Sequence, residues 1–176
     1  MLKFFELVGK LKDVERRGWY LRNIEKPESV ADHSWRMAVM ALVLAKKLNL
    51  DENKAVKIAL VHDLAEAVVG DYVPGEISPI EKHNAERDAM RAICKELGSA
   101  GDELFLLWEE YDSRQTPEAK LVKEIDRLET VIQAGEYEMS GRHENLQEFI
   151  DAGEGFFKFE GMEQIFNELK GKRSKK

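Results

Sequence analysis

The sequence contains a single cysteine and lacks any hydrophobic run long enough to cross a membrane. Cys94 has no partner for an internal disulfide, which indicates a reducing compartment. The N-terminal segment MLKFFELVGK lacks the layout of a secretory signal peptide. A bilayer-spanning helix needs about 20 consecutive apolar residues, and the sequence has no such stretch. We therefore expect a cytoplasmic protein without a membrane partner.

The chain also lacks an excess of positive charge. Its 27 Lys and Arg residues are outnumbered by 34 Asp and Glu residues, which gives a formal net charge of −7. Because non-specific binding to a phosphate backbone depends on clustered Lys and Arg, a nucleic-acid polymer is a disfavoured partner. The 176 residues, 43% of them hydrophobic, are enough for one core. We expect one domain over residues 1–170 and a frayed basic tail over residues 171–176.

Signals typical of β-strands are scarce, whereas helix starts and stops recur along the chain. Ser29 followed by Asp32 is a variant of the capping box, which satisfies free backbone amides at the start of a helix. Apolar residues at helical spacing follow each start. The positions expected to cap or end helices are Gly18, Ser29, Asn49, Asp51, Gly70, Ser78, Gly98 and Thr116. The sequence predicts an all-α, single-domain helical bundle.

Two of the four histidines lie next to carboxylates in apolar helical segments. The pair His62-Asp63 is predicted inside the third helix, in the segment LVHDLAE. Burying an ionised carboxylate and an imidazole without partners costs several kcal/mol. A divalent cation is the simplest compensation. Glu66 is expected one turn further on the same helical face, and Asp71 just beyond the helix end.

Two further residues complete a mixed set of nitrogen and oxygen ligands. His33 is predicted near the start of the second helix, and Asp126 in the middle of a long later helix. Taken singly, His33 is more often a helix-start residue bonded to backbone, and Asp126 an ordinary surface charge. Together with His62 and Asp63 they supply two imidazoles and two carboxylates from three helices. Such a set suits Mn²⁺, Co²⁺, Fe²⁺, Ni²⁺ or Zn²⁺, and ligand type alone does not choose among them.

This ordered set, His33, then His62-Asp63, then Asp126, resembles the H…HD…D signature of the HD-domain metal-dependent phosphohydrolases. The flanking segments PESVADHS, HDLAE, VGD, LWEEY and PEAK are similar to the 5′-deoxynucleotidase branch of that superfamily. The resemblance extends from about Leu11 to Tyr137. It implies a helical bundle around one divalent ion, a homodimer, and hydrolysis of deoxyribonucleoside 5′-monophosphates to deoxyribonucleosides and phosphate.

The resemblance also implies roles for individual residues. His33, His62, Asp63 and Asp126 match the residues that bind the metal. Glu66 and Asp71 match carboxylates near the water and the substrate phosphate, and we interpret Glu66 as the acid/base group and Asp71 as orienting water or substrate. The family carries an arginine and a tryptophan before the first histidine. Trp19 fits the tryptophan, with core packing as its alternative, and Arg16 is favoured over the adjacent Arg17 for the phosphate contact.

Other interpretations of the same residues stay open at this point. Within the superfamily, a phosphodiesterase or a nucleoside triphosphate hydrolase would use the same metal residues. A non-catalytic nucleotide-binding module and a purely structural bundle with a buried polar cluster are alternatives of a different class. His83 and His143 stand in polar surroundings and are interpreted as solvated, and Phe156, Phe157 and Phe159 as cover for the core.

Overall fold

The computed structural model describes residues 1–73 and 75–173, and over those residues the protein is all-helical, as predicted. A single isolated β-bridge joins Glu15 to Ser29. The described residues form ten helices. They are α1 (Leu2–Lys10), α2 (Arg17–Tyr20), α3 (Val30–Lys47), α4 (Glu52–Val61), α5 (Glu66–Val69), α6 (Pro79–Cys94), α7 (Ser99–Ser113), α8 (Pro117–Met139), α9 (Gln147–Asp151) and α10 (Met162–Arg173). None of these helices is long and apolar enough to span a bilayer.

The predicted helix starts are confirmed by side-chain hydrogen bonds. The backbone N–H of Asp32 donates to Oγ of Ser29 over 3.1 Å, and the Asp32 carboxylate accepts from the Ser29 backbone in return. Ser78 at the start of α6 forms the same reciprocal pair with Glu81. Asp51 and Thr116 cap α4 and α8 through their side chains. Gly70 follows α5 with a φ of +77°, a conformation that glycine adopts without strain.

Two of the predicted helix ends are wrong. Gly18 lies inside α2 rather than after α1, because the chain turns at Leu11 and forms a separate short helix from Arg17. The third helix ends at Val61, not at Gly70. The reason is local: Nδ1 of His62 donates to the carbonyl of Ala59 over 2.7 Å. In a continuing α-helix that carbonyl would accept from the backbone N–H of residue 63.

The core forms around α8, which contacts α3, α4, α7, α9 and α10. Its apolar stripe includes Leu121, Ile125 and Leu128, all fully buried. Each such side chain contributes about 2 kcal/mol by leaving water. Asp126 and Glu129 lie on the same helix, so the residues that anchor the core also fix two carboxylates in place.

Residues 171–173 were expected to fray, but they are helical in the structure. Residues 171–173 continue α10, because Nε of Arg173 lies 2.5 Å from Oε2 of Glu138 on α8. An ion pair of this kind ties the last turn of the helix to the body of the protein. Residues 174–176, also placed in the tail, lie outside the described residues.

Candidate active site

The structure brings together the four side chains predicted as metal ligands, called here the His–Asp cluster: His33 from α3, His62 and Asp63 from the turn after α4, and Asp126 from α8. Nε2 of His33 lies 3.4 Å from Oδ1 of Asp126 and 4.0 Å from Oδ2 of Asp63. Nε2 of His62 lies 3.0 Å from Oδ2 of Asp63. One ligand atom each of His33, His62 and Asp126 falls within 4.8 Å of the others, close enough to hold one ion.

The other nitrogen of each imidazole is fixed by an acceptor, and this decides what the cluster can bind. Nδ1 of His62 donates to the Ala59 carbonyl, and Nδ1 of His33 lies 2.5 Å from Oε2 of Glu129. With the proton on Nδ1, each neutral ring presents the Nε2 lone pair to carboxylates. Both Nε2 atoms are buried and lack a hydrogen-bond partner among the described residues. Lone pairs facing anions repel unless a proton or a metal cation lies between them, so the residues present fit a divalent ion.

The electrostatics of the cluster favour charged carboxylates. Burial raises the pKa of Asp126, but Lys123 and His33 outweigh burial and hold that pKa well below its usual range. Burial and Arg16 lower the pKa of His33, yet Glu129 and Asp126 raise it overall to about 9. In the absence of metal, a proton on His33 therefore offsets the negative charge. A divalent cation would take the place of that proton, which makes proton and metal competitors.

Asp126 is oriented by two neighbours that sequence analysis did not identify. The hydroxyl of Tyr111 donates to Oδ2 of Asp126 over 2.7 Å, and Nζ of Lys123 donates to the same oxygen over 2.8 Å. Oδ1 is therefore the oxygen that faces His33. A carboxylate held in this way presents one oxygen to an ion, which limits the loss of freedom on binding.

Behind His33 lies a pair of opposite charges, the buried Glu129 and the half-buried Arg36. Oε1 of Glu129, a residue with no exposed surface, accepts from Nε of Arg36 over 2.8 Å, while Oε2 faces His33. Nη1 of Arg36 also donates to Oε2 of Glu136 over 2.8 Å. Burial raises the pKa of Glu129, but His33 and the nearby guanidinium groups outweigh it and keep that pKa below its usual range. An ionised Glu129 thus holds the His33 ring from behind.

A cavity of about 410 Å³ opens beside the cluster. Its lining comprises Arg16, His62, Asp63, Glu66, Asp71, Pro79, Lys82, His83, Glu86, Trp108, Tyr111, Asp112, Arg114, Lys123 and Asp126. A second, larger cavity has a volume of about 590 Å³ and is lined by Arg17 and by Asp71, which also lines the first cavity. None of the four cluster residues lines this larger cavity. The chemistry therefore belongs to the smaller cavity, where charged groups of both signs converge.

Comparison with known proteins agrees with this geometry. A family model described as HD domain matches residues 8–166. The chain belongs to the HD domain family. It is 50% identical over 160 residues to a zebrafish (Danio rerio) protein named 5′-deoxynucleotidase HDDC2, covering 89% of this chain and 80% of that one. The human protein of the same name is 45% identical over 177 residues, 99% of this chain and 86% of that one.

The fold of this HD domain is also found among solved structures. A conserved hypothetical protein from Pyrococcus furiosus superposes with a TM-score of 0.81 at 37% identity, and the match covers 100% of both chains. The all-α fold expected from the sequence is therefore shared with that solved structure.

Glu66 and Asp71 both line the cavity of the HD domain, but Glu66 does not share a continuous helix with His62. Glu66 starts α5 after the break that follows His62, and it is only 4% exposed. Within the part of the chain that the structure describes, its Oε2 atom has no hydrogen-bond partner. Burial, together with the charges of Asp63 and Asp71, raises the pKa of Glu66 well above its ordinary value. Asp71 is fixed differently, because its Oδ2 accepts from the backbone N–H of Arg17 over 2.7 Å.

The two adjacent arginines point to different places. Arg16 lines the cavity, and its Nη2 donates to Oγ1 of Thr130 over 3.0 Å. The side chain of Arg17 instead pairs with Glu76, with Nη2 2.5 Å from Oε1, in the neighbouring larger cavity. Of the two, Arg16 is the guanidinium that faces the cluster side of the HD domain.

Trp19 corrects the expectation that it contacts substrate. Its side chain is 1% exposed and does not line the cavity. The indole N–H donates to Oε1 of Glu28 over 2.9 Å, and the ring packs on Phe149 with centroids 4.4 Å apart. In this structure Trp19 is a core residue that joins α2 to the C-terminal helices, which was its alternative interpretation.

Several residues of the site could not be identified from the sequence. Glu129 lies three positions after Asp126 on one face of α8, and that spacing was the one available signal. Lys123 lies three positions before Asp126 and carried the same signal. The polar neighbours of His83 in the sequence predict a solvated side chain, yet His83 lines the cavity. Its neighbours in the sequence, Lys and Asn, do not indicate that it packs against α7.

Proposed function

We propose that this HD domain is a metal-dependent phosphomonoesterase that hydrolyses deoxyribonucleoside 5′-monophosphates to deoxyribonucleosides and phosphate. The observation that carries the proposal is the convergence of two imidazole lone pairs and two ionised carboxylates at a cavity that also contains an arginine and the buried carboxyl group of Glu66, whose pKa is raised by burial. The relatives named 5′-deoxynucleotidase, at 45–50% identity, support the choice of substrate class.

His33, His62, Asp63 and Asp126 would hold the cation. When bound, a divalent ion offsets the charge of the phosphate and lowers the pKa of water toward neutrality. The two nitrogen and two oxygen donors are compatible with Mn²⁺, Co²⁺, Fe²⁺, Ni²⁺ or Zn²⁺. A phosphate monoester carries up to two negative charges, so this offset is what lets a nucleophile approach.

Arg16 is proposed to bind the phosphate. A guanidinium can donate two parallel hydrogen bonds to phosphoryl oxygens, and it stays charged at every working pH. Its Nη2 bond to Thr130 and the 4.0 Å approach of its Nε to Oε1 of Glu28 hold the guanidinium at the wall of the cavity. Because charge on these oxygens changes during the reaction, a fixed cation at this place stabilises the transition state.

Glu66 is proposed as the general acid. Hydrolysis forms a bond from the water oxygen to phosphorus, with one proton of that water released to solvent. It breaks the bond from phosphorus to the 5′ oxygen, which leaves as a hydroxyl once it gains a proton. Since burial raises the pKa of Glu66, the protonated form of its carboxyl group is favoured, and this form can donate its proton to that oxygen. Asp71, held by the Arg17 backbone, is proposed to orient the attacking water.

The test is phosphate release from a panel of deoxyribo- and ribonucleoside 5′-monophosphates, a nucleoside triphosphate and a cyclic diester. Each substrate is incubated with chelator-treated protein resupplied with Mn²⁺, Co²⁺ or Zn²⁺. We expect turnover of the deoxyribonucleoside monophosphates only with added metal, and its loss in Glu66→Gln with the metal still bound. Preference for the triphosphate or the diester would overturn the proposal, as would nucleotide binding without any turnover.

We also propose that the protein is a homodimer and that it is cytoplasmic. α3 exposes an apolar stripe of Trp35, Val39, Leu42 and Val43, a suitable contact for a second copy. Cys94 is buried and unpaired, as in proteins of reducing compartments. Sedimentation at micromolar concentration should give a dimer that Trp35→Glu dissociates, whereas Leu106→Glu, at an exposed apolar residue of α7, should not. A wild-type monomer would contradict the first proposal, and fractionation of cells tests the second.

A further inference from the structure

The wall of the cavity formed by α6 and α7 has no role in the mechanism above. It includes His83 from α6 and Trp108 and Asp112 from α7. None of these residues belongs to the His–Asp cluster. The question is what this wall contributes to a cavity whose other side binds phosphate.

His83 is held in a defined orientation by two contacts. Its ring is stacked on Trp108, with centroids 5.9 Å apart and an interplanar angle of 22°. Its Nδ1 lies 3.3 Å from Oδ2 of Asp112. Trp108 covers one face of the imidazole and Asp112 fixes one edge, while 31% of the side chain stays exposed. His83 lines the cavity, and part of its ring is left uncovered by Trp108 and Asp112.

The position of the phosphate determines which part of the substrate reaches this wall. Under the proposed function, on which this inference rests, the phosphate lies between Arg16 and the His–Asp cluster. The nucleoside must then extend into the rest of the cavity, which is bounded by α6 and α7. Lys82 already donates to the carbonyl of Tyr72 and lies 3.4 Å from Glu86, so its ammonium is engaged.

We propose that His83 is the stacking platform for the nucleobase and that Asp112 positions its ring. Every nucleobase has a π face, and histidine is among the side chains that stack on unpaired bases. A ring already fixed by Trp108 and Asp112 loses little freedom when a base packs on it. Stacking of this kind accepts purines and pyrimidines alike, so the platform binds the base without selecting one.

The test compares His83→Ala with His83→Phe on two substrates, a deoxyribonucleoside 5′-monophosphate and 2-deoxyribose 5-phosphate, which lacks the base. In His83→Ala we expect kcat/KM for the nucleotide to fall by about 5- to 100-fold, while kcat/KM for the sugar phosphate stays within about twofold. His83→Phe retains an aromatic face and should recover most of the loss. His143→Ala is the matched control, since His143 lines a different cavity, and it should resemble wild type.

Equal losses on both substrates would overturn the proposal and indicate a structural role for His83, and unchanged kinetics in His83→Ala would overturn it as well. Calorimetric binding of a free deoxyribonucleoside gives a readout that does not depend on turnover. Weaker binding to His83→Ala than to wild type supports the platform even if no phosphate is released, in which case only the proposed function fails. Equal binding contradicts the platform whatever the enzyme hydrolyses.

Discussion

The two histidines of the His–Asp cluster are held by different kinds of partner. His62 donates to the carbonyl of Ala59, three residues earlier, at the end of α4. His33 faces the side chain of Glu129, which is 96 positions away on α8 and is itself paired with Arg36. One ring is therefore oriented by the local backbone, and the other by a buried ion pair between two helices.

This difference determines which side of the cluster can be altered by substitutions outside the metal ligands. The backbone carbonyl behind His62 cannot be removed by substitution, whereas Glu129 and Arg36 can each be replaced. An ionised carboxylate behind a ligating histidine also raises the basicity of the ring more than a neutral carbonyl does. We therefore expect the His33 side of the cluster to respond to remote substitutions and the His62 side to respond only to changes in His62 itself.

The largest effect on activity is expected when either imidazole of the cluster is removed by substitution. His33→Gln and His62→Gln should each lower kcat/KM by about 1,000-fold or more, because a divalent ion contributes several kcal/mol to the transition state and both rings are needed to hold it. Phosphate release at saturating metal measures this. Substantial activity in one variant alone would mean that the two rings do not share one ion.

The next effect concerns stability. Arg36→Met leaves Glu129 buried with one guanidinium fewer, and breaking a buried ion pair costs about 3 kcal/mol. Urea unfolding of the metal-free protein measures the change in the free energy of unfolding. Arg22→Met is the matched control, since the Arg22–Glu148 pair, with Nε 2.6 Å from Oε1, is exposed, and exposed pairs contribute about 1 kcal/mol or less. Equal losses in the two variants would contradict a special role for the buried pair.

Glu129→Gln keeps the size of the side chain and removes its charge. We expect metal affinity to fall by about 10- to 100-fold, in line with other substitutions behind a ligating histidine. Titration of chelator-treated protein with Co²⁺, followed by visible absorption, measures it. Glu136→Gln also loses a carboxylate that pairs with Arg36 but does not touch His33, so its affinity should stay at the wild-type value. Equal affinity in both variants would refute the positioning of His33 by Glu129.

The smallest expected effect is at the helix starts. Ser29→Ala removes the cap of α3, which carries His33, and Asp51→Ala removes the cap of α4, which ends before His62. Each substitution should lower the free energy of unfolding by about 1 kcal/mol. Metal affinity should change in neither. Thermal unfolding measures stability and Co²⁺ titration measures metal affinity. A loss of affinity in Ser29→Ala alone would mean that the cap at Ser29 helps to orient His33.

The helical class and the cap positions could be predicted because they depend on neighbouring residues. Ser29 with Asp32 and Ser78 with Glu81 are signals complete within four residues, and both capping boxes form. The break after Val61 could not be predicted from periodicity, since the apolar pattern continues through Ala65. The helix ends there because the His62 side chain donates to the Ala59 carbonyl, which a backbone N–H would otherwise bond.

The site shows the same division between local and long-range information. The four cluster residues could be proposed from the sequence because their order resembles a known signature. Glu129, Tyr111 and His83 could not, since their roles depend on which helices pack together, and a Glu or His on a polar helix face is usually solvated. For Trp19 the sequence allowed either substrate contact or core packing, and its packing on Phe149 depends on the folded chain.

Equilibrium dialysis of chelator-treated protein against Co²⁺ tests the central claim most directly. The account predicts one bound ion per chain in the wild type and in Glu66→Gln, and no bound ion in Asp63→Asn and Asp126→Asn. Absence of the ion from the wild type, or full binding in both aspartate variants, would contradict the claim that residues from α3, the turn after α4 and α8 hold a single cation.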